Sequence, residues 1–235
     1  MINMLVYGKN VAKDLLLNDS LIKEAFVQEG FNDNEIIDLL KIKNVPFKYM
    51  SKKQINDLCD GLNQGIILSI PDYKYNNLDS VFNNNDEVVV ILDHLEDPHN
   101  LGAIIRTCEA AGIKSIILSK NRQVQVNATV MKTSAGTLQN MNIVSVSNIV
   151  NCIDTLKDNG FWIVGTSLDN SVDYRTVDYS GKIAIVIGNE GSGISNLVAK
   201  KCDFLVKIPM YGKTNSLNAS VATGIMIYEV IRNRK

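Results

Sequence analysis

The chain has 235 residues, 46% of them hydrophobic and 21% charged, with a formal net charge of −1. That is the composition of an ordinary globular protein of one or two domains, and it excludes a collagen-like, low-complexity or strongly basic chain. The start, "MINMLVYGKNVAKDLL", lacks the basic-then-apolar form of a signal peptide. No run of about 18 apolar residues suggests a membrane span. A membrane partner is therefore not expected, and the cytoplasm is the expected location. The cysteines at 59, 108, 152 and 202 form no CxxC pair, so the expectation is free thiols rather than a disulfide framework or a zinc knuckle.

In chain order, "NVAKDLLL" (10–17) has helical spacing and "IKEAFVQ" (22–28) reads as a strand. "NDNEIIDLLKIK" (32–43) reads as a helix, with Asn32 as cap and Glu35 three residues on. Ser51 and Gln54 match a capping box, and "GIILSI" (65–70) reads as a buried strand. These elements make a small α/β domain over residues 1–72. The Asn-rich stretch from 73 to 86 reads as a linker, part of it packed through Tyr73, Tyr75, Leu78 and Phe82.

From residue 87 the pattern changes. Continuous apolar runs occur at 87–95, 114–119, 142–146, 161–167, 183–188 and 204–209, as expected of parallel strands covered on both faces. Helical stretches at 100–111, 126–136, 148–158, 194–201 and 216–232 alternate with them. The expectation is a parallel α/β sheet over residues 87–235.

In such a sheet ligands bind beyond the carboxyl ends of the strands. Three ends there are rich in Gly, Ser, Thr and Asn: "IVGTSL" (163–168), "IVIGNEGSGIS" (185–195) and "KIPMYGKTNSLNAS" (207–220). Standard nucleotide signatures do not fit them. "GNEGSG" has the wrong glycine spacing for a dinucleotide site, and "GKT" at 212–214 has Lys207 where a P-loop needs its first Gly. His94 and His99, near Asp93 and Asp97, read as a hydrogen-bonded loop in preference to a metal site. Arg106 lies on the face of its helix that carries Gly102, Ala103, Glu109 and Ala110. Its alternatives are an ion pair with Glu109 and contact with something that approaches over the small residues. Basic patches at Lys120/Arg122, Lys200/Lys201, Lys207/Lys213 and Arg232/Arg234/Lys235 each read as solvated surface when taken singly.

The segments "DPHNLGAIIRTCEAAG", "IVIGNEGSGIS" and "IPMYGKTNSLNASVATGIMIYE", in that order, resemble the three motifs of the SpoU (TrmH) family of RNA ribose 2′-O-methyltransferases in the SPOUT superfamily. The N-terminal part resembles, more loosely, the small ribosomal-protein-like domain that precedes the catalytic domain in the bacterial 23S rRNA guanosine enzyme. "GKN" at 8–10 stands where that group has "GRN". The resemblance implies a SPOUT domain whose C-terminal segment is tied in a deep trefoil knot over the 187–220 loops. It implies S-adenosylmethionine as cofactor, RNA as partner (23S rRNA, with tRNA as the second substrate class), a homodimer and no metal.

By motif match, Gly165, Thr166, Gly188, Glu190, Ile208, Met210, Leu217 and Asn218 would line the cofactor site. Arg106, Asn100, Glu190, Ser216 and Asn218 would serve the transfer. Arg106 would clamp phosphate and stabilise charge, Glu190 is the other candidate base, and the remaining three would orient ribose or cofactor. The apolar helix "ATGIMIYEVI" (222–231) would pack against a second copy, its own core, or both. A non-catalytic RNA-binding assembly factor is the reading from another class, and the joint presence of the five catalytic candidates weighs against it.

Overall fold

Strand pairing, more than helix propensity, organises the N-terminal part of the chain. The computed structural model describes residues 3–18, 20–59 and 62–234, so Lys235 of the basic tail lies outside the described residues. In chain order come β1 (Asn3–Tyr7), α1 (Lys9–Leu17), β2 (Glu24–Gln28), α2 (Asn34–Ile42), β3 (Phe47–Met50), α3 (Lys52–Asp57) and β4 (Ile66–Pro71). The sheet order is β1-β4-β2-β3. β4 runs antiparallel to both its neighbours, and β2 and β3 are parallel. Val11, Ala12, Leu15 and Leu16 of α1 are buried, as are Ile36 and Leu40 of α2, which puts one apolar stripe of each helix into a shared core.

The capping box at Ser51 and Gln54 is present in both directions. The cap of α2 is Asp33, whose side chain accepts from Ile36 N, and not Asn32. Both residue types suit the position, and only the observed turn decides which side chain reaches the free N–H. β1 and β3 carry no strong alternation and were not expected from the pattern.

The second part continues with α4 (Asp79–Asn83), β5 (Val88–Asp93), α5 (Pro98–Ala110), β6 (Ser115–Ser119), α6 (Ala128–Thr133), β7 (Asn142–Val146), α7 (Ile149–Asp158), β8 (Phe161–Thr166), β9 (Val172–Asp173), β10 (Lys182–Gly188), α8 (Asn196–Ala199), β11 (Phe204–Lys207) and α9 (Ala219–Arg232). A seven-stranded sheet runs β7-β6-β5-β10-β8-β11-β9, with every pairing parallel. The expected parallel α/β sheet is therefore present. β5 and β6 are buried at every residue, as their apolar runs require. α5 packs against α9, and α7 against β8 and α8. The chain leaves β5 in one direction through β6 and β7, then fills the other side with β8, β10 and β11. That reversal places a topological switch point between β5 and β10.

The chain divides into two compact units, residues 1–74 with 126–138, and residues 75–125 with 139–235. This differs from the expected division in two places. Much of the presumed linker belongs to the second unit: Asn76 bridges to Val144, and Leu78 and Phe82 pack on that unit's core. Conversely, α6 lies between β6 and β7 in sequence but packs on β1 and α1, with Ala128 and Met131 against the first unit's core. Lys132 adds a cation–π contact, its Nζ 5.3 Å from the Tyr7 ring centroid. Helical periodicity shows that a helix has an apolar face, but not which core will receive it.

Gly136 closes this segment at φ +86°, where a Cβ would lie 2.3 Å from Asp14 Oδ1. Gly136→Ala should therefore lower unfolding free energy by about 1–3 kcal/mol in urea titrations. Gly30→Ala, also at positive φ but with nothing within 4 Å, should cost less.

Candidate functional site

At the end of β5, Asp93 is fully buried. Its Oδ2 accepts from Ser195 N at 2.7 Å and its Oδ1 from His94 Nδ1 at 2.6 Å. A buried carboxylate is tolerated only when hydrogen bonds replace its water, and both of its oxygens are engaged here. His94 turns the chain at φ +64°. Its carbonyl accepts from Asn189 Nδ2 at 3.0 Å. Asn189 Oδ1 in turn accepts from Gly191 N at 2.8 Å and Ser192 N at 3.3 Å, a local Asn turn. The end of β5 thus holds the 189–195 loop at both its ends.

The glycines of these loops serve their own packing. A Cβ on Gly188 would lie 2.1 Å from the Gly193 carbonyl carbon, because Asn189 and Gly193 pair backbone to backbone. A Cβ on Gly165 would lie 2.6 Å from Cys202 Sγ and 2.8 Å from Ile194 Cδ1. Thr166 Oγ1 donates to Val186 O at 3.2 Å, tying β8 to β10 just before the loop.

One chain of side-chain hydrogen bonds joins three separate motifs. Asn100, buried near the start of α5, donates from Nδ2 to Glu190 Oε1 at 2.5 Å. Its Oδ1 accepts from Asn218 Nδ2 at 2.9 Å. Asn218 is also the cap of α9, its Oδ1 accepting from Ser220 N at 2.9 Å. Asp97 fixes the start of α5 by accepting from His99 N at 2.8 Å, with Pro98 in the first turn. Asn100 is a donor to a carboxylate and an acceptor from an amide at once, each role taken by a separate atom of its amide.

The structure therefore brings Asn100, Glu190 and Asn218 together and sets Gly165, Thr166 and Gly188 at the carboxyl ends of the adjacent strands β8 and β10. Ile208, Met210 and Leu217 are half-buried in the irregular segment before α9, where Ser216 is exposed. Arg106 is not part of the Asn100 chain. Six residues along α5 from Asn100, it stands about 9 Å further on and about 120° around the helix. It is exposed and forms no hydrogen bond or ion pair among the described residues. The Glu109 alternative does not hold, since Glu109 Oε1 instead accepts from Asn140 Nδ2 at 3.2 Å.

Sequence reasoning gave Asp93 only a loop role beside His94 and passed over Asn189 and Ser195. The signal for Asn189 was present, an Asn opening a Gly-rich turn in "GNEGSG". Among the described residues no three His, Cys, Asp or Glu side chains converge to hold a metal.

The fold and site define an α/β protein with Gly- and Asn-rich loops gathered at the carboxyl ends of a parallel sheet, beside its switch point. Residues 87–228 match the profile of the SpoU rRNA methylase family, and residues 5–76 that of the RNA 2′-O ribose methyltransferase substrate-binding region. The chain belongs to the SpoU methylase family of RNA methyltransferases. A Staphylococcus saprophyticus protein provisionally named a TrmH family tRNA/rRNA methyltransferase is 41% identical over 239 residues, spanning 98% of this chain and 96% of the relative. The AdoMet-bound rRNA methyltransferase from Sinorhizobium meliloti superposes with a TM-score of 0.81 at 28% identity, covering 98% of this chain and 87% of that one. A TrmH/SpoU tRNA modifying enzyme of A. aeolicus is 34% identical, with a TM-score of 0.58, over 67% of this chain and 82% of its own.

Two outcomes follow from this geometry. Asp93→Ala leaves the Ser195 N–H and the His94 ring without their acceptor and should cost about 1–3 kcal/mol in chemical denaturation. Asp97→Ala, at a half-buried cap, should cost about 1 kcal/mol. Burial pushes the Cys202 thiol up to about 12. Its alkylation by iodoacetamide at pH 8 should therefore be slow in the folded protein and fast in urea, as mass spectrometry would show.

Proposed function

We propose that the protein transfers the methyl group of S-adenosylmethionine to a ribose 2′-hydroxyl of RNA, with a guanosine of 23S rRNA as the target. The observation that carries this reading is the hydrogen-bond chain Asn218–Asn100–Glu190 at the switch point, which joins the three family motifs in one place. The family profile over 87–228, the substrate-binding profile over 5–76 and the AdoMet-bound relative support it.

The residues present suit the cofactor. Glu190 offers a carboxylate toward a cationic ligand, and Ile208, Met210 and Leu217 keep partly exposed apolar surface for a flat ring. The strand ends at Gly165, Thr166 and Gly188 lie side by side in the sheet. When bound, S-adenosylmethionine supplies an electrophilic methyl on a sulfonium.

The chain's own residues do the rest. A ribose hydroxyl is a poor acid, so the site must hold the proton and stabilise the charge that develops on oxygen. Glu190 has one oxygen fixed by Asn100 and can accept that proton with the other. Arg106 has no hydrogen-bond or ion-pair partner among the described residues to compete, so its guanidinium holds RNA phosphate and stabilises negative charge. Asn218 and Ser216 orient the ribose, and orientation alone accounts for a large share of rate.

Three further features belong to the same proposal. The 187–220 segment is tied as a trefoil knot. The protein works as a homodimer through α9, whose Val221 and Tyr228 stay exposed while Met226, Ile227 and Val230 fill the chain's own core. It resides in the cytoplasm; among the described residues no helix is long and apolar enough to cross a membrane. The A. aeolicus relative favours tRNA as the second substrate reading.

Arg106→Ala should reduce methyl transfer by about 10²-fold or more while calorimetric cofactor affinity stays within about twofold. Lost cofactor affinity would overturn its assigned role. Tritiated methyl transfer to unmodified 23S rRNA and to tRNA, followed by nucleotide mapping, decides between the two substrates.

A further inference from the structure

The first unit contains a cavity of about 430 Å³ whose walls include Lys9, Phe31, Asn32, Lys52, Leu62 and Gln64. Four turns build it at one end of the small sheet: those after β1, β2 and β3 and the one before β4. Its size falls in the usual range for small-ligand sites, about 300–1,000 Å³.

The walls are held in place from within. Gln64 Oε1 accepts from Lys9 N at 2.8 Å. Asn63 is buried, its Oδ1 accepting from Gly65 N at 2.9 Å and its Nδ2 donating to Asn56 Oδ1 at 2.9 Å. Phe31 lies over Gly65, where a Cβ would be 3.0 Å from its ring and where φ is +83°. Lys9 Nζ sits 5.0 Å from the Phe31 ring centroid and 3.4 Å from Asp33.

Against this fixed frame several groups have work left to do. Among the described residues the Lys52 ammonium and the Asn32 amide have no side-chain partner, and the Gln64 amide N–H₂ is unused. Leu62 is an apolar side chain 74% exposed at the rim.

This combination has a specific chemistry. A flat ring can rest against Leu62 and the wall made by Phe31 and the Lys9 side chain over it, amides both donate to and accept from a base edge, and the Lys52 ammonium at the rim can meet an adjoining phosphate. We propose that the cavity takes an unstacked, unpaired base of the RNA substrate, with its backbone phosphate at Lys52. A duplex would not fit it, because a paired base shows neither its face nor its Watson–Crick edge. The inference rests on the methyltransferase reading above and adds to it how the first unit grips RNA.

The test uses the full chain and an unmodified 23S rRNA transcript, with filter binding at several salt concentrations. Phe31→Ala and Leu62→Ala should each weaken binding about 5- to 100-fold with an unchanged salt slope. Lys52→Gln should weaken it and lower the salt slope by about one. All three should leave cofactor affinity and kcat at saturating RNA as in the wild type, with the loss appearing in KM. Leu62 and Lys52 are exposed, so their variants keep the test valid even where Phe31→Ala unfolds the protein. Wild-type methyl transfer together with variant affinities within twofold of wild type overturns the cavity proposal alone. Absence of methyl transfer by the wild type to both rRNA and tRNA overturns the methyltransferase reading instead.

Discussion

The structure of the site depends on one buried carboxylate. Asp93 ends the central strand β5 fully buried, and both of its oxygens are satisfied from within the chain, by Ser195 N and the His94 ring. The same bonds determine where the 189–195 loop must run. The loop cannot drift from the strand end without leaving a charged group desolvated and unpaired, which costs far more than a neutral hydrogen bond. Asn189, bonded to the His94 carbonyl, extends this anchoring to the start of the loop, so Glu190 is presented from a fixed backbone.

On that base Asn100 connects the parts. It bonds both the anchored loop and the cap of α9, with its donor on one and its acceptor on the other. Glycine at 188 and 165 lets the loops close on themselves, since the chain's own atoms fill the volume a Cβ would occupy. The rigid part of the site is thus made of backbone and amides. The groups with spare capacity, Arg106, Ser216 and the second oxygen of Glu190, are left at the surface.

The two units share more chain than a simple linker would imply. α6 leaves the large sheet's sequence to complete the small unit's core, and Gly136 fits against Asp14 to close it. The small unit therefore folds from two separated segments. A cut at residue 72 would bare the α6 face carrying Ala128 and Met131, so this boundary separates sequence but not cores.

Sequence alone determined the alternation of strands and helices after residue 87, because buried parallel strands must be apolar at every position and such runs are visible without a structure. It also determined the membership of the three motifs and the capping box at Ser51, which are local matters of residue type and spacing. Tertiary structure alone decided that Asp33 and not Asn32 caps α2, that α6 serves the first unit, and that Asn100 links Glu190 to Asn218 across 90 and 118 residues of chain. It also separated Arg106 from that link and removed Glu109 as its partner. The reason is physical. A residue's own chemistry and its near neighbours set which bonds it can make, but which bond it does make depends on what the folded chain brings within three ångströms of it.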